Sequence, residues 1–186
     1  LKKNTLPLAA LGIPEKVVNS NIKWRSPSSD FCEKIAEFSK KFSTKNPYKF
    51  FKILCEGDGS KRLPIKLPKD GEPVFFPKTD TVIGVIGLSC LGKPIKETLF
   101  RYELLPNLTS LDNYFIKSLQ SADIVTTDFL YRLCLSEKGL RKNITSQKFC
   151  IIFNQADILD EKALAEVITL RNQLQTKGIC PHIISV

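Results

Sequence analysis

Short apolar runs alternate with polar, helix-patterned stretches along this chain, and two of the runs end in chemically loaded clusters. Phe50-Phe51-Lys52-Ile53-Leu54-Cys55 leads into Glu56-Gly57-Asp58-Gly59-Ser60, and Phe149-Cys150-Ile151-Ile152-Phe153 leads into Asn154-Gln155-Ala156-Asp157. Such a run reads as a buried parallel strand delivering a loop to the carboxyl edge of a sheet, where open α/β folds bind ligands. Strands are therefore predicted at Tyr48–Cys55, Thr81–Leu88 and Lys148–Phe153, with a last short one at His182–Val186. Helical spacing of Phe31, Ile35, Phe38 and Phe42 predicts a helix capped by Ser29 or Asp30 and ended by Asn46-Pro47. Thr126 caps a helix over 127–135 with Gly139 just beyond it. Asp160 caps another, with Leu164, Val167, Ile168 and Leu174 on one face and Gly178 as its stop. A further helix is predicted over 110–119. Residues 1–27 read as irregular, Gly57–Lys78 as a Pro- and Lys-rich surface loop, and 91–108 as extended or short-helical. Strands separated by helices imply an α/β fold, a mostly parallel sheet flanked by helices in a single domain over 1–186.

Composition narrows this picture without changing it. With 186 residues, 42% hydrophobic and 25% charged, the chain can bury a core of its own. No apolar stretch reaches the roughly 20 residues of a membrane span, and no signal-peptide core follows Leu1-Lys2-Lys3-Asn4, so the expected location is cytoplasmic with no membrane partner. The net charge of +9 is spread in pairs such as Lys40-Lys41 and Arg141-Lys142, which argues for solvated surface rather than nucleic-acid binding. Lys61, Arg62, Lys66 and Lys69 are the exception, because they crowd behind the Glu56–Gly59 loop and can face an anion. Six scattered cysteines without a Cys-x-x-Cys pair read as reduced core thiols, and the single histidine, His182, as a packed strand-end residue. The absence of methionine, even at position 1, points to a fragment or to missing residues.

Three motifs carry candidate chemistry, each beside a structural alternative. Glu56 and Asp58, two residues apart on extended backbone, would point to one side and could hold Mg²⁺; the alternative is a pair neutralised by Lys61 or Arg62. Asn154 and Asp157 can read a guanine edge, or serve as turn and cap residues. Gly87-Leu88-Ser89-Cys90-Leu91-Gly92-Lys93-Pro94 has the spacing of a phosphate loop, but Pro94 replaces the Mg²⁺-binding hydroxyl residue and Leu88 and Leu91 are bulky. It reads better as a strand end followed by a turn.

The strings from Glu56 to Lys66, then Pro68, Glu72-Pro73-Val74, Thr79 to Leu88, Leu91-Gly92-Lys93-Pro94, Arg101 with Glu103-Leu104, and Phe153 to Asp157 closely resemble the YqeC family over about residues 50–180. The resemblance implies a P-loop-NTPase-like protein, an accessory in the maturation of selenium-dependent molybdenum hydroxylases. Members begin with a strand and a Gly-Lys-Thr phosphate loop; nothing in residues 1–50 matches them, so the phosphate-loop segment is expected to be missing. Gly71, Ser89 and Gln155 also depart from the commoner His, Asp and Lys. The implied cofactors are Mg²⁺ and ATP or GTP. Glu56 and Asp58 would be the catalytic and metal residues. Gly59, Lys61, Arg62, Lys66, Asn154 and Asp157 would bind the nucleotide, and the partner would be a molybdenum hydroxylase or its cofactor-maturation proteins. Nucleoside triphosphate hydrolysis is one expectation; a non-catalytic carrier of cofactor or selenium, with Cys55 and Cys90 nearest the loops, is the alternative.

Overall fold

The computed structural model describes residues 13–18, 21–25, 28–45, 53–76, 78–108 and 123–185. The chain divides into two compact units, residues 1–56 with 76–78, and residues 57–75 with 79–186.

In the first unit, β1 (Ile13–Val18) and β2 (Asn21–Arg25) form an antiparallel hairpin in register from Ile13 against Arg25 to Val18 against Asn21. This corrects the expectation of irregular structure before residue 28. The two runs are rich in strand-favouring residue types, Ile13, Val17, Val18, Ile22 and Trp24. Helix α1 spans Ser29–Lys45. Its cap is Ser28, one residue earlier than expected, whose Oγ accepts from the Phe31 N–H at 3.3 Å. Phe31 and Phe38 stay exposed.

In the second unit, β3 (Ile65–Lys66) comes first, followed by β4 (Thr81–Gly87), helix α2 (Ile95–Thr98), β5 (Leu99–Phe100), α3 (Thr127–Leu135), β6 (Lys148–Asn154), α4 (Glu161–Thr176) and β7 (Cys180–Ile183). β4, β6 and β7 form a parallel sheet in that order, with β6 in the middle. The molecule is thus an α/β protein with parallel strands and flanking helices, as the alternating pattern required. Thr126 and Asp160 cap α3 and α4 through their side-chain oxygens, accepting from Phe129 N–H at 3.1 Å and Ala163 N–H at 2.7 Å. Gly178 ends α4 at φ +75°, a conformation that an L side chain resists.

The core lies on one side of this sheet. Ile86, Ile151 and Phe153 meet Leu130, Leu133, Val167, Leu170 and Leu174, all essentially inaccessible. On the expected apolar face of α4, Ile168 is instead 38% exposed and Leu170 takes its place inside. The other side of the sheet leaves Ile83 and Val85 about half exposed.

Two further expectations are corrected here. Of the run ending at Cys55, residues 48–52 lie outside the described residues, and the described Ile53–Cys55 form no strand and are exposed, Leu54 by 83%. Apolar composition makes a strand only where a neighbour offers a free ladder, and the third strand here is Cys180–Ile183. The Gly57–Lys78 stretch is not merely a surface loop. Ile65 and Leu67 are 1% exposed, and β3 pairs in parallel with β5, Ile65 against Leu99 and Lys66 against Phe100. The alternation Ile65-Lys66-Leu67 is a strand pattern that the surrounding prolines and lysines disguise. The predicted helix over 110–119 and the Asn46-Pro47 stop lie outside the described residues.

Candidate anion-binding site

Strand β3 sends Ile65 and Leu67 into the core, so Lys66 between them must leave on the opposite side. It emerges among carboxylates. Its ammonium pairs with Asp58 and, at 2.9 Å, with Glu72. Arg101, directly after β5, grips the same Glu72 with both guanidinium nitrogens, one bond at 3.0 Å, and donates a further 3.4 Å bond to the Leu67 carbonyl. These side chains are only 10% (Lys66), 14% (Arg101), 19% (Asp58) and 20% (Glu72) exposed. The Arg101 fork, with Lys66 beside it, holds the Glu72 carboxyl down at about 2 against the cost of its burial. Glu72 in turn pushes the Arg101 guanidinium further up. Asn143 bonds the Glu72 and Pro73 carbonyls at 3.4 Å, and Lys142 bonds the Lys69 carbonyl at 2.8 Å.

The Phe100 ring is the centre of the positive charge. Lys61 Nζ lies 5.0 Å, Lys66 Nζ 5.8 Å and the Arg101 guanidinium 4.9 Å from its centroid. These are cation–π distances. Lys61 and Arg62 stand on a tight turn closed by Leu63 N–H to the Ser60 carbonyl at 3.1 Å. Both occupy left-handed backbone, φ 52° and 68°, as does Arg101 at φ 66°. Each such non-glycine residue costs about 1 kcal/mol, and strain of this kind concentrates where a loop must present particular side chains. The turn is anchored to the sheet, because Gly87 at the carboxyl end of β4 donates its N–H to the Pro64 carbonyl at 2.9 Å. A Cβ on Gly87 would meet Gln155 Oε1 at 2.9 Å and Pro64 Cβ at 3.0 Å, so a side chain there would crowd the basic turn.

The structure therefore gathers some of the expected site residues and separates others. Asp58, Lys61 and Lys66 share the Phe100 cluster, and Arg62 sits exposed beside Lys61. Gly59 is exposed in the same loop. Glu56 is exposed at the start of the same stretch. Asp58 is engaged by Lys66, and among the described residues no group of three His, Cys, Asp or Glu side chains is placed to hold a metal ion. Asn154 ends β6 opposite Gly87. Its Oδ1 is buried without a hydrogen-bond partner among the described residues, an acceptor left open at the carboxyl end of the sheet. Asp157 lies exposed on the following 3₁₀ turn, Ala156–Ile158.

The Gly87–Pro94 string takes the turn form. Leu88 and Cys90 are buried, and burial pushes the Cys90 thiol up to about 12. The N–H groups a phosphate would need are spent internally, Leu91 on Leu88, Gly92 on Val125 and Lys93 on Cys90. Glu72, Phe100 and Arg101 were not singled out as site residues. Glu72 and Arg101 stood in the family strings, yet nothing local pairs charges 29 residues apart.

A family model described as YqeC protein matches residues 12–103, starting earlier and ending sooner than the strings had indicated. The matched span includes Asp58, Lys61, Arg62, Lys66, Glu72, Phe100 and Arg101, while Asn154 and Asp157 lie beyond it. No curated protein and no solved structure matches the chain. With its matched span carrying the complete Phe100 cluster, the chain belongs to the YqeC family.

Proposed function

We propose that this protein binds a phosphate-bearing ligand, a nucleotide or a pterin-type cofactor phosphate, at the turn of Lys61 and Arg62. It would act as a cytoplasmic accessory in the maturation of selenium-dependent molybdenum hydroxylases, with the hydroxylase or its cofactor-maturation proteins as partner. The observation that carries the binding reading is the convergence of Lys61, Lys66 and Arg101 on Phe100, with Arg62 alongside. Cations here outnumber the carboxylates Asp58 and Glu72, and two of them are displayed on an exposed, anchored turn. A phosphate brings the negative charge this surplus favours, and each cation offers it a charge-assisted contact. Binding, rather than hydrolysis, is what the geometry supports, since Asp58 is committed to Lys66. ATP or GTP would bring its own Mg²⁺. No helix among the described residues is long and apolar enough to cross a membrane.

The unpartnered Asn154 Oδ1 favours a nucleotide within this class, because a base N–H is the donor it lacks. Calorimetric titration with MgATP, MgGTP and inorganic phosphate tests the reading. Lys61→Ala should weaken phosphate-bearing ligands about tenfold, the loss of one charge-assisted contact. Absence of binding by all three ligands at millimolar concentration would remove the proposal. Equal binding of MgATP, MgGTP and free phosphate would remove Asn154 and Asp157 from base recognition.

A further inference from the structure

The open side of the sheet carries a chemistry that the anion site does not use. β6 and β7 run parallel with Cys150 directly opposite Cys180, so both side chains leave the same face. His182, two residues along β7, lies on that face too, with Nε2 3.3 Å from Cys180 Sγ. Neighbouring Cα atoms across a sheet ladder are separated by a distance that a disulfide spans without backbone movement. Cys180 is exposed and Cys150 half-buried, both as free thiols. The expectation that the cysteines are core thiols holds only for Cys90 and Cys134, which are buried, and His182 is exposed rather than packed. His182 is also the only histidine in the sequence. Burial pushes the Cys150 thiol up, and the neighbouring Cys180 adds to that shift. The two thiols are thus in register on one face of the sheet.

We propose that Cys150 and Cys180 form an oxidisable dithiol, with Cys180 as the attacking thiol, Cys150 as the resolving thiol and His182 as the base, and that a hydroperoxide is the oxidant. His182 Nε2 takes the Cys180 proton. The thiolate attacks the terminal peroxide oxygen, the O–O bond breaks, and the departing alkoxide or hydroxide collects that proton. Cys180 is then a sulfenic acid. Cys150 attacks its sulfur, the S–O bond breaks, and the hydroxide leaves as water with the Cys150 proton as the S–S bond forms. Two thiols lose two electrons, and the peroxide becomes an alcohol or water plus a second water. Because the partner thiol is already seated on the adjacent strand, the second step is intramolecular and outpaces further oxidation.

An internal comparator is present. The Cys32 thiol is likewise pushed up, by burial and by its neighbour Cys55 in the first unit, and the sequence's single imidazole is His182. The test treats the reduced full chain with hydrogen peroxide, blocks remaining thiols by alkylation, and maps unreduced peptides by mass spectrometry. A Cys150–Cys180 linked peptide should form first, ahead of any Cys32–Cys55 link, with Cys90 and Cys134 alkylated only after denaturation. His182→Gln should slow the link on the order of tenfold while circular dichroism stays unchanged. Cys150→Ser should leave a Cys180 sulfenic acid that dimedone traps. Oxidation of Cys180 to sulfinic acid without a link in the wild-type chain would overturn the proposal. So would Cys32–Cys55 linking at the same rate with His182→Gln having no effect.

Discussion

Lys66 and Lys61 are the same residue type five positions apart, both over the Phe100 ring, yet their surroundings give them different work. Lys66 sits on a core strand, 10% exposed, between Asp58 and Glu72. Lys61 stands exposed on a left-handed turn with Arg62, and among the described residues neither makes an ion pair. Half-buried charges must be matched or their desolvation goes uncompensated, so the Lys66–Glu72–Arg101 group is bound to the fold. Exposed charges contribute little to stability and remain available to a ligand. The contrast separates the cations that build the site from those that use it.

The comparison breaks most visibly at Leu67, which seats the Lys66 strand in the core at 1% exposure. Leu67→Ala should cost about 3 kcal/mol in urea denaturation, whereas a surface loop would tolerate it within about 0.5 kcal/mol. Glu72→Gln comes next. A carboxyl held at about 2 rather than its ordinary 4.5 contributes stability above the unfolded value, and that contribution fades as pH falls from 4.5 towards 2. The variant should lose about 2–3 kcal/mol at pH 7. Its deficit relative to wild type should shrink steadily across that acid window in pH-dependent thermal melts; a constant gap would deny the ion pairing. Lys61→Ala should leave the melting midpoint essentially unchanged while weakening phosphate binding about tenfold. The reverse pattern would make Lys61 a structural residue. The smallest effect belongs to Arg62→Asn. Asparagine tolerates φ 68°, so stability should hold or rise by about 0.5 kcal/mol while affinity falls modestly.

Legibility in the sequence followed the range of the interaction. The caps at Thr126 and Asp160 and the glycine stop at Gly178 act within one helical turn, and all were readable from composition and spacing. Thr81–Gly87 and Lys148–Asn154 were readable as parallel strands because both are continuous apolar runs bounded by turn residues. The basic crowd at Lys61, Arg62 and Lys66 was visible as a cluster, though not its division into structural and exposed members. The open face of Cys150, Cys180 and His182 was misread as interior, since apolar neighbours in sequence imply burial only when something packs over both sides of a strand.

Local chemistry alone settled the helix ends, the strand character of the two long apolar runs, and the α/β class that their alternation with helices imposes. Folding in three dimensions settled which apolar run became the third strand. It also buried Ile65 and Leu67 within a proline- and lysine-rich stretch, and joined Glu72 to an arginine 29 residues away. Capping and periodicity are set by neighbours along the chain, whereas a ladder partner, a buried face or a charge pair exists only once distant segments share the same space.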